Sequence, residues 1–147
     1  MIRIDKTVTI RRPAHEVFAF VADLTNGPLW QDDLKSAVRV GDQPLGIGTV
    51  HEFTRVIAGR TFTSKSTFVE YEEGIHVRFV IDDRPASGWA SYTVTEKSPG
   101  ITELRSQLEL SLSGPMRVLQ PIMRRSILRG NEREFAALKE LLEAMNN

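Results

Sequence analysis

Apolar and polar residues alternate along most of the chain, in short runs separated by turn residues. Over residues 2–10, Ile2, Ile4, Val8 and Ile10 share one parity, and Arg3, Asp5, Thr7 and Thr9 take the other. A period of two puts the two sets on opposite faces of a half-buried strand. Further runs follow at 36–41, 49–57, 60–71, 75–82, 88–96 and 101–112. Gly-Asp-Gln-Pro (41–44), Ala58-Gly59-Arg60, Glu72-Glu73-Gly74, Asp83-Arg84-Pro85 and Ser98-Pro99-Gly100 punctuate them as turns or loops. The last run is the cleanest, with Leu104, Leu108, Leu110 and Leu112 on one face and Glu103, Arg105, Gln107 and Glu109 on the other.

The period changes twice. After Pro13, whose fixed φ suits a first helical turn, Val17, Phe18, Val21 and Ala22 predict a short helix ending near Asp23. Asn26-Gly27-Pro28 stops it, and the stretch to Trp30 reads as loop or a second short helix. From Pro115 to Met145, apolar residues recur mostly three or four apart, at Met116, Leu119, Met123, Ile127, Phe135, Leu138, Leu141, Leu142 and Met145. That spacing is one apolar stripe on a long helix. Pro121 removes a backbone donor, so a kink or loose start is expected, with regular helix from about Ile122. Gly130 is a second weak point, costing about 1 kcal/mol against Ala. A long helix with one greasy face needs a large apolar partner. The strands supply it, so the pattern predicts one α+β domain over 1–147, a curved antiparallel sheet gripping the C-terminal helix.

Composition narrows the class. The chain has 147 residues, 41% hydrophobic and 26% charged, as expected of one soluble globular domain. Nineteen basic and nineteen acidic residues cancel, which disfavours a nucleic-acid partner. Without Cys there is no disulfide or thiol chemistry, and His15, His51 and His76 are too scattered for a metal site. No metal or cofactor is expected. The N-terminus lacks an apolar signal core and no run approaches a membrane span, so a cytoplasmic protein with no integral membrane segment is the expectation. Homo-oligomerisation stays open.

Three stretches resemble the START-like (SRPBCC) superfamily, and within it the polyketide cyclase/dehydrase group. They are Ile10-Arg-Arg-Pro13-Ala-His-Glu-Val17-Phe18-Ala-Phe20-Val-Ala-Asp23; Asn26-Gly-Pro28-Leu-Trp30; and the closing strand from Thr102-Glu-Leu104 into a long helix ending Leu138-Lys139-Glu140-Leu141-Leu142-Glu143. The resemblance spans essentially the whole chain. It implies a helix-grip fold: a seven-stranded antiparallel sheet wrapped around the C-terminal helix, with two short helices after strand 1 and an elongated cavity between sheet and helix. Members bind lipids, sterols, plant hormones, polyketides or quinones, or act as cyclases. They share no catalytic residue set, so the resemblance assigns no active site.

Candidate site residues follow from which strand faces point inward. Residues 101–112 offer Leu104, Ser106, Leu108 and Leu110; residues 60–71 offer Phe62, Ser64, Ser66 and Phe68; residues 88–96 offer Tyr92 and Ala90, with Trp89 opposite. Serines on an apolar face suit a partly wet, ligand-holding cavity, since a buried unpaired hydroxyl costs about 1–3 kcal/mol. The strand at 49–57 has two possible inner faces. One carries His51, Phe53 and Arg55, able to hold a carboxylate or carbonyl, with His51 a candidate acid or base; the other carries Glu52. Met123 and Ile127 would close the cavity from the helix. Trp30 and the Arg84-Pro85 loop sit beside the expected mouth, as packing or as gate. Arg124, Arg125, Arg129 and Arg133, with Glu132 and Glu134 nearby, read as a solvated helix face. The leading expectation is a carrier of a small apolar molecule (lipid-, polyketide- or quinone-like). A cyclase/dehydratase-type enzyme using the same cavity, or a protein-interaction module with a filled core, are the alternatives.

Overall fold

A computed structural model describes residues 1–57, 59–83 and 86–145. Ala58 of the expected 58–60 turn, and Arg84-Pro85, lie outside the described residues. Strand β1 (Ile2–Ile10) is followed by helix α1 (Ala14–Ala22), a 3-10 helix at Leu24–Leu29, and strands β2 (Leu34–Val40), β3 (Val50–Ile57), β4 (Arg60–Glu72), β5 (His76–Asp83), β6 (Ala86–Ser98) and β7 (Ile101–Leu112). A second 3-10 helix at Gly114–Leu119 leads into α2 (Gln120–Ala144).

The strands form one seven-stranded antiparallel sheet in the order β1-β7-β6-β5-β4-β3-β2. From β2 to β7 each strand pairs with its sequence neighbour, as short turns dictate. β1 is the exception: it lies beside β7, with Ile2 opposite Leu110 and Ile10 opposite Thr102. The chain therefore crosses from one edge of the sheet to the other between β1 and β2, and α1 with its 3-10 extension makes that crossing. This is the helix-grip, α+β architecture, with α2 laid against the inner face.

Local chemistry explains the junctions. Pro13 caps α1 in an extended conformation, and Val17, Phe18, Val21 and Ala22 bury its inner side. Asp23 then accepts from both the backbone N–H (3.2 Å) and the hydroxyl (2.6 Å) of Thr25, opening the 3-10 helix that absorbs Pro28. The second short helix expected before Trp30 is thus a 3-10 helix. Pro121 does not kink α2. It sits in the first turn, where its missing N–H needs no partner, and the residues before it form the 3-10 segment instead. Met145, at the end of the apolar stripe, is the C-cap of α2 and is half exposed.

Buried side chains form two clusters rather than one. The larger joins α1, the 3-10 helix, the middle of the sheet and the C-terminal half of α2, with Phe18, Trp30, Phe68, Phe79, Leu104, Phe135 and Leu138 among its members. The smaller gathers Ile2, Leu110, Leu112 and Met123 at the other end. Among the described residues, no helix is long and apolar enough to cross a membrane.

Candidate functional site: a cavity between the sheet and the C-terminal helix

The two clusters are separate because a cavity of about 310 Å³ lies where they would meet. Phe53, Phe79, Ala90, Tyr92 and Phe135 wall it from the larger cluster, and Ile81, Leu108, Leu110 and Ile127 from the smaller. The volume is at the lower end of the range for small-molecule pockets.

Strand parity brings most of the expected residues to this space. Trp30, Phe53, Arg55, Ser64, Tyr92, Ser106, Leu108 and Ile127 line it. The ambiguity on β3 resolves toward His51, Phe53 and Arg55, with Glu52 exposed. Six of the expected residues are not on the cavity wall. Phe68 and Leu104 pack in the larger cluster, and Phe62 and Met123 belong to the smaller one. His51 and Ser66 also point inward but are fully enclosed, with the His51 ring 5.3 Å from that of Phe68. The physical reason is that strands longer than the cavity carry the same inner parity into solid core at either end. Trp89 faces outward, beneath the guanidinium of Arg78 at 4.1 Å.

One side of the cavity is polar. Arg55 on β3 donates from Nη1 to Asp33 Oδ1 at 2.8 Å, and Arg133 on α2 donates from Nε to Asp32 Oδ2 at 2.7 Å. These two ion pairs tie the segment after Trp30 to the sheet and to the helix. Glu134, from the next position of α2, enters the same space and has no hydrogen bond among the described residues. Burial, and then the negative charge of Asp33, raise its carboxyl to about 8 against the opposing pull of Arg55. Near neutral pH it is a protonated acid, able to donate. The Tyr92 phenol, buried beside Gln31, is pushed well above its ordinary value, chiefly by burial, and is likewise a donor. Ser64 and Ser106 add hydroxyls. With Glu134 neutral, the two arginines and two aspartates cancel. The lining therefore favours a neutral ligand oxygen that accepts hydrogen bonds. A ligand carboxylate would meet an arginine already paired and two aspartates.

Gln31, Asp32, Asp33, Gly130 and Glu134 were not among the residues expected from sequence. The signal for the last two was present: Ile127, Gly130 or Asn131, Glu134 and Leu138 continue the three-to-four spacing of the buried stripe, so Gly130 and Glu134 are polar or small residues at inward positions. Among the described residues no group of three or more His, Asp or Glu side chains is placed to hold a metal ion.

Comparison with protein families matches residues 1–143 to the one described as polyketide cyclase / dehydrase and lipid transport. Comparison with curated protein sequences finds no match. Among solved structures, a START superfamily protein from Mycobacterium smegmatis superposes with a TM-score of 0.80 at 17% identity, covering 98% of this chain and 99% of that one. The Zhui aromatase/cyclase from Streptomyces sp. R1128 gives 0.79 at 13% identity, covering 99% and 95%. The di-domain aromatase/cyclase BexL gives 0.74 at 18% identity; all of this chain is covered, and 48% of BexL. At these identities the likeness is one of fold.

Proposed function

The chain belongs to the polyketide cyclase/dehydrase and lipid transport family, and from that premise we propose that its cavity binds a small, mainly apolar molecule bearing a ketone, quinone or phenol oxygen. The observation that carries this reading is the division of the cavity wall. Phe53, Phe79, Leu108, Leu110, Ile127 and Phe135 offer apolar burial, worth about 25 cal/mol per Å². Glu134 and Tyr92 offer donors on the polar side. The size of the space suits a compact ring system better than a long extended acyl chain.

A second reading, an enzyme of the cyclase/dehydratase type, is favoured by Glu134 specifically. A carboxylic acid poised near neutrality inside a cavity can pass a proton to a ligand oxygen, which a simple carrier does not need. The aromatase/cyclases among the similar folds make that class of reaction relevant to test.

The deciding experiment is native mass spectrometry of the protein purified from its own host, with extraction and identification of whatever accompanies it. A stoichiometric ring compound with a neutral oxygen is the expected result. A protein that is consistently empty and also fails to bind an apolar fluorescent probe would overturn both readings.

A further inference from the structure

We propose that the outward face of the N-terminal half of α2, together with the 3-10 helix before it, docks on an anionic phospholipid surface. This goes beyond the cavity and does not depend on what the cavity holds. From Leu110 to Asn131 the chain contains Arg117, Arg124, Arg125 and Arg129 and no acidic residue, although its overall charge is zero. Helical spacing gathers the last three on one side of α2. Ile122, Arg125 and Arg129 follow one another three or four apart, as do Pro121, Arg124 and Leu128, whereas Met123, Ile127 and Gly130 face inward.

Two observations set this face apart from an ordinary solvated one. The first is pairing. Elsewhere, Arg3, Arg11, Arg12, Arg55, Arg105 and Arg133 each meet a carboxylate, Arg39 donates to the Gln43 carbonyl and Arg78 lies over the Trp89 ring, so that among the other described arginines Arg60 alone shares the lack of a partner. The side chains of Arg117, Arg124, Arg125 and Arg129 form no ion pair or hydrogen bond among the described residues. Glu132 and Glu134, the acids expected to balance them, point elsewhere: Glu132 meets Lys6, and Glu134 turns into the cavity. The second is apolar exposure. Val118 is 78% exposed, Ile122 58% and Met1 56%, and Leu128 is also exposed. Met1, Pro121 and Leu128 border a shallow hollow with Gln120, Arg124, Arg125 and Arg129.

Unpaired guanidinium groups around bulky exposed apolar side chains are the composition of a surface that rests in a lipid interface. Guanidinium groups take phosphate oxygens in pairs, and each basic residue near an anionic leaflet strengthens binding roughly fivefold. Val118 and Ile122 project from a helical ridge, which a deformable headgroup layer can accommodate.

Co-sedimentation of the whole protein with phosphatidylcholine vesicles, and with vesicles of phosphatidylcholine mixed with phosphatidylglycerol, tests this. The protein should pellet with the mixed vesicles only, and added salt should release it. Arg124→Glu with Arg125→Glu should lower the affinity at least tenfold, and Val118→Ser with Ile122→Ser should also lower it, each with an unchanged circular dichroism spectrum and melting temperature. The charge reversal Lys97→Glu, at the opposite end of the sheet, should leave binding intact. Equal binding to both vesicle types, or wild-type binding by the Arg124/Arg125 variant, would overturn the proposal. So would retention on immobilised polyglutamate without any vesicle binding, which would indicate an acidic protein partner instead.

Discussion

His51 on β3 faces Ser66 on β4 directly across the ladder; both are fully enclosed, and neither side chain has a hydrogen-bond partner on the protein among the described residues. Burial lowers the imidazole from its ordinary value near 6.5 to about 4, with the positive charge of Arg39 adding to the effect. The unfolded chain therefore takes up a proton at a higher pH than the folded one does. The His51 contribution to stability should be constant above neutrality, fall as the pH drops from about 6.5 to about 4, and level off below that. The raised carboxyl of Glu134 acts in the opposite sense between about 4.5 and 8, so the His51 part is read as a difference between variants. His51→Phe should remove this part of the slope, as measured by urea denaturation at a series of pH values. An unchanged slope would mean that the imidazole is not buried as a neutral group.

Glu134 predicts the opposite limb for binding. Its proton is held up to about pH 8, so a ligand oxygen that accepts from it should bind more weakly once the pH passes that value. Titration with a bicyclic aromatic ketone should show the loss in the wild type. Glu134→Gln, which keeps a donor and cannot ionise, should bind about as well at neutral pH and show no such loss.

Gly130 lies on the cavity wall inside α2. A Cβ added there would meet Glu134 Oε1 at 3.7 Å and Arg133 Nη2 at 3.9 Å, which is ordinary contact. Gly130→Ala should stabilise the protein by about 1 kcal/mol through helix propensity alone. Gly130→Leu would carry its side chain into the space the ligand needs. Thermal melting should rise for the first, and probe binding should fall severalfold for the second.

Glu143 fastens the end of α2. It accepts from the backbone N–H of Arg11 at 2.9 Å and from Lys139 Nζ at 2.9 Å, and these bonds hold its carboxyl down at about 2. A depressed carboxylate stabilises the fold at neutral pH, and the contribution is lost as the pH falls from about 4.5 toward 2. With solvent screening allowed for, Glu143→Gln should cost about 0.5–1 kcal/mol at pH 7 and flatten the acid limb of a stability profile in that window.

The strands and both helices were legible because their periods are clean. Ile2, Ile4 and Ile10, and the leucines of β7, announce their buried face without ambiguity. The cavity itself was only partly legible. Alternation tells which side of a strand points in, but not whether a given inward position meets space or another side chain. Ser64 meets space and Ser66, two residues on, does not. Along the chain Glu134 stands among charged neighbours, whereas its position on the helix circumference places it with Ile127 and Leu138. The arginine run illustrates the reverse. Sequence proximity to Glu132 and Glu134 suggested neutralisation, and geometry directs both acids away.

The pairing of β1 with β7 also bears on how the chain is assembled during synthesis. Ile2 finds its ladder partner at Leu110, and Ile10 at Thr102, so the first strand leaves the ribosome long before the strand it pairs with exists. Strands β2 to β7 join by local hairpins and can zip up in the order they emerge, a route with little loop-closure entropy at each step. The sheet is then completed from its far edge, when β1 returns to the strand made last. Until that moment Ile2, Ile4 and Ile10 have no sheet to cover, and the exposed flank of β7 is open to any other extended chain. A nascent chain paused before β7 is complete would present these unpaired surfaces for the longest time, which makes the region of Ile101–Leu112 the stage of translation at which this fold is most exposed to chaperones and to misassembly.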